Sequence, residues 1–438
     1  SVSSNRLSTT RIIALAFAAI ILTGALLLTL PVASRNGESC GFLTALFTAT
    51  SATCVTGLIL VDTFVQWSGF GQVVILGLIQ LGGLGLVTFT SGFTLFLRRR
   101  LDLRDMQIAK EYTNGSTLDL PRLLRTIMFF TFVCEAFGSF LLMLRFVPMF
   151  GGKGIWISVF LSVSAYCNAG FDILGFLKPD ASLELFVGDP LVCLTICCLI
   201  ILGGIGFIVT VDLYNWGRKR VRKEERRPHL TLHTRIVLVS TASLLVLGTV
   251  LTLGLEYDHT LKDLNFWEKL NASFFQSVTA RTAGYATIPQ GELGDATKLV
   301  TIILMFIGAS PSSTGGGIKT TTFVVLVATV VSISRGRDET VINKRRVDKS
   351  VVYRAMTIVA MAFLVIAITS GVIMVTTPPE VSAIDAVYEA VSAFGTVGLT
   401  TGLTPDLSIV AKILVMLTMF IGRVGPISLV LALTMKHS

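Results

Sequence analysis

The feature that most constrains this chain is a repeat. Four pairs of long apolar runs follow one another, with a shorter, mildly apolar stretch between the members of each pair. Crossing about 30 Å of hydrocarbon takes about 20 helical residues. Runs of that order lie near 11–31, 70–97, 122–147, 190–213, 234–256, 298–334, 351–376 and 407–434. The stretches between, 40–53, 155–167, 267–280 and 383–395, hold 13 or 14 residues and are too short to span. They suit half-helices that enter the bilayer part-way and return. Composition agrees: 52% of residues are hydrophobic, 14% are charged and mean hydropathy is +0.76. Soluble domains carry about 25% charge, and disordered chains carry little apolar content, so both classes are excluded. The expected fold is an all-α multi-pass membrane protein with eight spans and four re-entrant half-helices. Its units divide at 1–100, 101–217, 218–336 and 337–438.

The net charge is +9, and its distribution says more than its sum. Segments 98–125, 218–235 and 335–354 hold 22 Lys/Arg against 9 Asp/Glu. The alternate loops, 31–71, 146–190, 256–298 and 377–412, hold 8 basic and 16 acidic residues. By the positive-inside rule the basic segments face the cytoplasm. Each unit crosses twice, so both termini are expected there, and the units share one orientation in a cytoplasmic membrane. The first apolar run is long enough to span and has no small-residue cleavage site after it, so it reads as a span rather than a leader. No aromatic-interleaved basic module accompanies the charge runs, which argues against nucleic acid as a partner. The seven cysteines lie mostly in apolar stretches, with no zinc-ligand spacing.

After each half-helix comes a short segment that closes on glycine. These are Thr53-Cys54-Val55-Thr56-Gly57, Tyr166-Cys167-Asn168-Ala169-Gly170, Ala280-Arg281-Thr282-Ala283-Gly284 and Phe394-Gly395-Thr396-Val397-Gly398. Each second span then carries a Leu/Ile-Gly step, at Leu81-Gly82, Leu202-Gly203, Ile307-Gly308 and Ile421-Gly422. Non-helical backbone at membrane depth is tolerated only if protein buries it or it lines water. Four such loops in parallel repeats predict a central aqueous path. A dehydrating cation needs oxygen ligands, which rings of backbone carbonyls supply. Glycine leaves room for the ion and permits unusual dihedrals. The C-terminal ends of half-helices, and acidic outer loops, also favour cations.

These units resemble the Trk/Ktr/HKT superfamily of potassium-translocating membrane proteins over nearly the whole chain. The residues that carry the resemblance are Thr44–Asp62, Gln80–Gly85, Asn168–Phe171, Phe275–Tyr285, Gly315–Lys319, Ser392–Leu399 and Ile421–Pro426. Eight spans without an extra N-terminal pair resemble the Ktr-type membrane subunit more than the longer Trk type. The resemblance implies a potassium-binding filter made by Val55, Thr56 and Gly57, by Asn168, Ala169 and Gly170, by Thr282, Ala283 and Gly284, and by Thr396, Val397 and Gly398. In the family, glycine at the first filter position goes with potassium and serine with sodium, so Gly57 favours potassium. Tyr285 stands where phenylalanine is often found. The resemblance also implies a homodimer docked on a cytoplasmic nucleotide-binding regulatory ring. No cofactor of the chain itself is expected, only potassium and, in a sodium-dependent member, sodium.

The second span of the third unit is interrupted. Leu299–Ile307 is apolar, then Gly308-Ala-Ser-Pro-Ser-Ser-Thr-Gly-Gly-Gly-Ile-Lys319 intervenes, then an apolar run resumes at Phe323. Nine helical residues rise only about 14 Å, and Pro311 with Gly315–Gly317 breaks helix. This predicts a gating loop across the path below the filter, built on Ser312, Ser313, Thr314, Gly315, Gly316, Gly317 and Lys319; the resemblance implies the same role. A charge in mid-membrane faces a cavity or a partner. Arg423, at the level where other units carry Gly83 and Gly204, is expected to project into the path and oppose resting cation flow. Lys319 is expected to reach the cytoplasm, Arg281 to turn outward and brace the loop, for example against an acidic residue, and Glu135 and Asp212 to form ion pairs on the inner side. Gly315-Gly-Gly-Ile-Lys319-Thr320 is not a phosphate-binding loop, because Ile318 separates glycine from lysine and no strand precedes it. No histidine accompanies Ser310, Ser312 or Ser313 in sequence, so an enzyme is not expected. The competing readings are a sodium-selective or weakly selective transporter and a non-conducting scaffold.

Overall fold

The computed structural model describes residues 9–98, 120–223, 228–378 and 381–425. Most of the basic segment 98–125, part of 218–235 and the close of the last apolar run therefore lie outside the described residues. The first unit comprises α1 (Thr9–Thr29), α2 (Phe42–Thr53), the single turn α3 (Thr63–Gln66) and α4 (Gly69–Arg98). The second holds α5 (Leu120–Phe150), α6 (Lys153–Tyr166), α7 (Pro190–Gly204) and α8 (Phe207–Val221). The third holds α9 (Leu232–Glu256), α10 (Phe266–Thr279), α11 (Asp295–Phe306) and α12 (Thr320–Ser334). A two-residue antiparallel hairpin, β1 (Val341–Ile342) and β2 (Arg345–Arg346), precedes α13 (Lys349–Thr376), α14 (Ala383–Phe394) and α15 (Ile409–Val424).

The short helices α2, α6, α10 and α14 fall on the four stretches that are too short to span. Local chemistry starts two of them. Asn265 and Glu268 form a reciprocal capping box on α10, and the Ser382 hydroxyl accepts from the Asp385 N–H on α14, satisfying donors a helix start leaves open.

Polarity is arranged inside out. The long helices α1, α5, α9 and α13 are apolar enough to cross a bilayer alone, and only about a third of each is buried. Their outer faces show Leu22, Leu26, Phe129, Phe137, Val239, Val246, Phe363 and Leu364. The half-helices meanwhile bury Thr48, Ser51, Ser162, Ser273, Gln276, Ser277, Glu389 and Ser392. Exposed apolar area on this scale needs hydrocarbon around it.

Eight uninterrupted spans are not what the described residues show. The run 190–213 breaks between α7 and α8, which meet at 100°. Gly206 adopts φ +92° at the bend, and segment 307–319 takes up the backbone groups that the break frees. Ser310 N–H donates to the Gly204 carbonyl (3.0 Å), Thr314 N–H to that of Gly203 (3.2 Å), and Phe207 N–H to that of Ser312 (2.9 Å). An unsupported break would leave these groups bare in hydrocarbon.

Packing links the units into a ring. Within each, the long helix packs on its half-helix and on the second helix: α1 on α2 and α4, α5 on α6 and α7, α9 on α10 and α11, α13 on α14 and α15. Between units, the second helix packs on the next half-helix: α4 on α6, α7 on α10, α11 on α14, and α15 back on α2. The Leu/Ile-Gly steps permit the intra-unit approach. A Cβ on Gly82 would lie 1.8 Å from the Thr53 carbonyl oxygen, one on Gly203 1.9 Å from that of Tyr166, and one on Gly422 1.9 Å from that of Phe394. Gly82→Ala should therefore destabilise the fold by about 1–3 kcal/mol. Gly77→Ala, on the same helix with nothing within 4 Å of a new Cβ, should be neutral or stabilising. Thermal unfolding of the two purified variants checks the contrast.

Candidate functional site

The four half-helices end on Cys54, Cys167, Ala280 and Gly395 as C-caps. Just beyond, the backbone repeats one unusual pattern: positive φ at Val55, Asn168, Thr282 and Thr396, and again two residues later at Gly57, Gly170, Gly284 and Gly398. Three of the four leading residues are β-branched, for which this region is disfavoured, and such outliers cost about 1–3 kcal/mol each. Backbone bonds to the half-helix hold them. Thr56 N–H donates to Ser51 O (2.8 Å), Ala169 N–H to Ser164 O (2.8 Å), Val397 N–H to Ser392 O (2.9 Å), and Ala283 N–H to Thr279 O (3.1 Å).

The closing glycines meet in a cycle. A Cβ on Gly57 would lie 2.3 Å from the Ala169 carbonyl oxygen, and one on Gly170 2.4 Å from that of Ala283. One on Gly284 would lie 2.1 Å from that of Val397, and one on Gly398 2.2 Å from that of Thr56. All twelve sequence-predicted filter residues therefore come together, and the four carbonyls before the glycines stand side by side. Nothing larger than glycine fits this contact in the present backbone.

Sequence reasoning missed the hydroxyls that brace this ring. Ser51 Oγ accepts from Gly57 N–H and Ser392 Oγ from Gly398 N–H, each at 3.0 Å. In the third unit, Thr279 Oγ1 donates to the Tyr285 carbonyl (2.6 Å). Tyr285 Oη in turn reaches the Phe171 carbonyl of the second unit (3.0 Å), a bond phenylalanine could not make. The signal was present as Ser-Ala six residues before the glycine in units one, two and four.

Segment 307–319 lies directly against one face of the ring. A Cβ on Gly315 would fall 2.4 Å from Thr282 Oγ1, and one on Gly316 2.3 Å from Thr396 Oγ1. The segment touches the second and fourth units directly. Thr314 Oγ1 donates to the Tyr166 carbonyl (3.0 Å), and Gly317 N–H to that of Gly422 (3.3 Å). Arg423, 2% exposed, donates through Nη1 to the Thr314 carbonyl and through Nη2 to those of Gly82 (2.6 Å) and Gly83 (3.3 Å). One guanidinium thus ties the segment to the first unit's α4. Ser312 adopts φ +57° and Gly317 φ +71° within the segment.

Four expectations about charged groups need correction. Lys319 folds back on its own loop, donating to the Gly315 carbonyl (2.8 Å), instead of reaching outward. That bond supplies a partner closer than solvent. Arg281 braces a loop, but through a carbonyl: its Nη2 donates to that of Gly308 (3.2 Å), and no ion pair with a carboxylate forms among the described residues. Glu135 has Cys167 and Gln80 as neighbours in place of a cation. Asp212 accepts from Thr231 N–H and Oγ1, both at 3.0 Å, fastening α8 to the start of α9.

Half-length helices that deliver carbonyl-bearing loops to the centre of an apolar, inside-out assembly define a polytopic membrane protein built to handle cations. The chain belongs to the TrkH family of cation transport proteins, whose model matches residues 5–438. It is similar to the Ktr system potassium uptake protein B of Bacillus subtilis, at 38% identity over 97% of this chain and 93% of that one. It is also similar to the potassium/sodium uptake protein NtpJ of Enterococcus hirae, at 40% identity over 98% of this chain and 94% of that one. Among solved structures, the potassium transporter TrkH from Vibrio parahaemolyticus shares the fold, with TM-score 0.75 at 16% identity, over 99% of this chain and 86% of that one.

Ser392→Ala would leave the Gly398 N–H without its partner, at a cost of about 1–3 kcal/mol. The expected result is a lower thermal midpoint in purified protein, with a further drop when Ser51→Ala is added. Equal midpoints for all three proteins would mean that the hydroxyls do not brace the ring.

Proposed function

We propose that this chain takes up potassium across the cytoplasmic membrane through a filter formed by its four glycine-closed loops. The observation that carries this reading is the closed cycle of Gly57, Gly170, Gly284 and Gly398, each in contact with its neighbour's carbonyl. In this reading the four units are M1–P–M2 repeats in pseudo-fourfold arrangement, with both termini cytoplasmic. The backbone oxygens of Val55 and Thr56, Asn168 and Ala169, Thr282 and Ala283, and Thr396 and Val397 replace the ion's water without fixed negative charge. Membrane potential drives entry, at about 2.3 kcal/mol per charge per 100 mV.

Segment 307–319 is the gate. It closes the path where Gly315 and Gly316 press on Thr282 and Thr396, and Arg423 sets a positive charge beside it. The loop must leave this position for ions to pass, breaking its bonds to Gly203, Gly204 and Gly422. The names of the Ktr relatives support potassium as cargo, while the potassium/sodium relative keeps a sodium-coupled or less selective transporter as the second reading. A homodimer and a cytoplasmic nucleotide-binding ring complete the proposal. The three basic segments, 98–125, 218–235 and 335–354, are the parts of the chain offered to that ring.

Rubidium uptake into liposomes tests the filter. Uptake by the wild type should be blocked by potassium and not by sodium. Gly57→Ser, which places a Cβ 2.3 Å from the Ala169 oxygen at φ +97°, should weaken that discrimination; equal block of the wild type by both ions would favour the sodium reading. Deleting Ser312–Gly316 should raise flux and leave discrimination intact. Unchanged or abolished flux in a folded deletion variant would count against the gate.

A further inference from the structure

One face of helix α8 is left uncovered by the described residues. The helix leaves α7 at 100°, and its 15 residues rise about 22 Å. The bend therefore turns it from the crossing direction of α7 toward the plane of the membrane. Asp212 accepts from the N–H and Oγ1 of Thr231, each at 3.0 Å, and Thr231 is the N-cap of α9. That cap stands where the first span of the third unit begins, at the end of the span that carries a basic segment. α8 is thus fastened at the level of that membrane surface. Inward, Phe207 and Val209 are buried, and Leu213 packs against the cluster of Ile205, Val209 and Val237.

Outward, Tyr214 is 70% exposed and Val221 83%. They stand seven residues apart, with the exposed Arg218 four beyond Tyr214, so the three share one face. The helix also changes character along its axis. It opens on the uncharged run Phe207–Val211 and closes on Arg218, Lys219, Arg220, Arg222 and Lys223. Trp216 lies between, its Nε1 donating to the Pro228 carbonyl (3.1 Å) and the Arg220 guanidinium 5.2 Å from its ring centre. Asp212 is the only acid in α8, and Thr231 engages it. Water would leave Tyr214 and Val221 unfavourably solvated, while hydrocarbon would not accept Arg218. A layer of lipid head groups satisfies both, because aromatic rings settle at the boundary and basic side chains settle on phosphates.

We propose that this face of α8 docks on anionic phospholipid head groups of the cytoplasmic leaflet, with Tyr214 and Val221 at the acyl boundary and Arg218 and its basic neighbours on the phosphates. The proposal rests on the orientation in which the basic segments face the cytoplasm. Charge complementarity selects the occupant: five basic side chains within six residues attract an anionic surface. The membrane is present at this level whatever else binds the loop beyond the helix. Phe207 N–H also holds the Ser312 carbonyl (2.9 Å), so a lipid that steadies α8 steadies one support of segment 307–319.

The test reads Trp216 fluorescence in liposomes holding the full chain, with brominated phosphatidylglycerol or brominated phosphatidylcholine as quencher. Trp267, which is 75% exposed, is replaced by phenylalanine throughout, and the same protein with Trp216→Phe supplies the background to subtract. Quenching should show phosphatidylglycerol preferred by about fivefold or more, the effect of one basic residue or several at an anionic surface. Arg218→Gln should cut that preference about fivefold, Arg218→Lys should keep most of it, and about 0.5 M salt should weaken it. Arg345→Gln, on the β1–β2 hairpin, should leave it unchanged. Equal quenching by the two lipids would overturn the proposal, as would a preference indifferent to Arg218→Gln. Little quenching by either lipid overturns it too, since a second copy or another protein then covers the face. Should Arg218→Gln fail to yield folded protein, the salt response decides: a preference that salt leaves intact overturns the proposal. None of these readings requires ion flux, so a failure of the transport reading and a failure of this proposal are told apart.

Discussion

The structure depends on one steric constraint: four loops from separate repeats approach so closely that each closing glycine lies against the carbonyl of the next. Contacts of 2.1 to 2.4 Å from a hypothetical Cβ mean that any side chain there would force the loops apart. The half-helices must therefore stop at one depth, and the second helices must press on their ends, which is what Gly82, Gly203 and Gly422 allow. The strain in Val55, Thr282 and Thr396 is sustainable because the half-helix carbonyls and the hydroxyls of Ser51 and Ser392 hold the loops from behind. Rigid placement of oxygens is worth that strain only if something must fit between them.

A second constraint follows from the solvent. Hydrocarbon outside shifts the usual burial pattern, so the half-helices, which bury hydroxyls beside Phe47, Phe160 and Phe275, become the core and the long apolar helices become the coat. Exposed backbone is then the chief hazard. The break at Gly206 and the interruption at 308–319 answer it jointly, since each supplies hydrogen-bond partners to the other. Neither irregularity would be tolerable at this depth alone.

Much of this was legible in the chain. Length separated half-helices from spans, and the glycines that close the loops marked where the backbone turns. The break between α7 and α8 was not legible, and a comparison within the chain shows why. Gly82-Gly83-Leu84-Gly85 and Gly203-Gly204-Ile205-Gly206 are almost the same local sequence, yet α4 stays helical through the first and the chain bends 100° at the second. The difference is tertiary: segment 307–319 lies beside Gly203, Gly204 and Phe207, and takes their hydrogen bonds. Arg281 and Lys319 were misjudged for a related reason. A pattern-based reading looks for carboxylates and solvent, whereas a loop-rich interior offers the free carbonyls of Gly308 and Gly315.

The same economy bears on the proposal that the segment is a gate and not a fixed plug. Among the described residues its hold on the rest of the protein includes backbone hydrogen bonds with Gly203, Gly204, Phe207 and Gly422, one hydroxyl bond to Tyr166 and two guanidinium groups, Arg281 on Gly308 and Arg423 on Thr314. Each is worth about 0.5–1.5 kcal/mol net, or somewhat more where a charge takes part. The total is small enough for a conformational change elsewhere to overcome. It is also spread over units two and four, and over unit one by way of Arg423, so under the proposed gating the loop would respond to their relative position. Motion of α8 bears directly on Ser312 through Phe207, and Asp212 fastens that helix to α9. A partner pulling on α8 beyond Asp212 would act on the loop through this short connection.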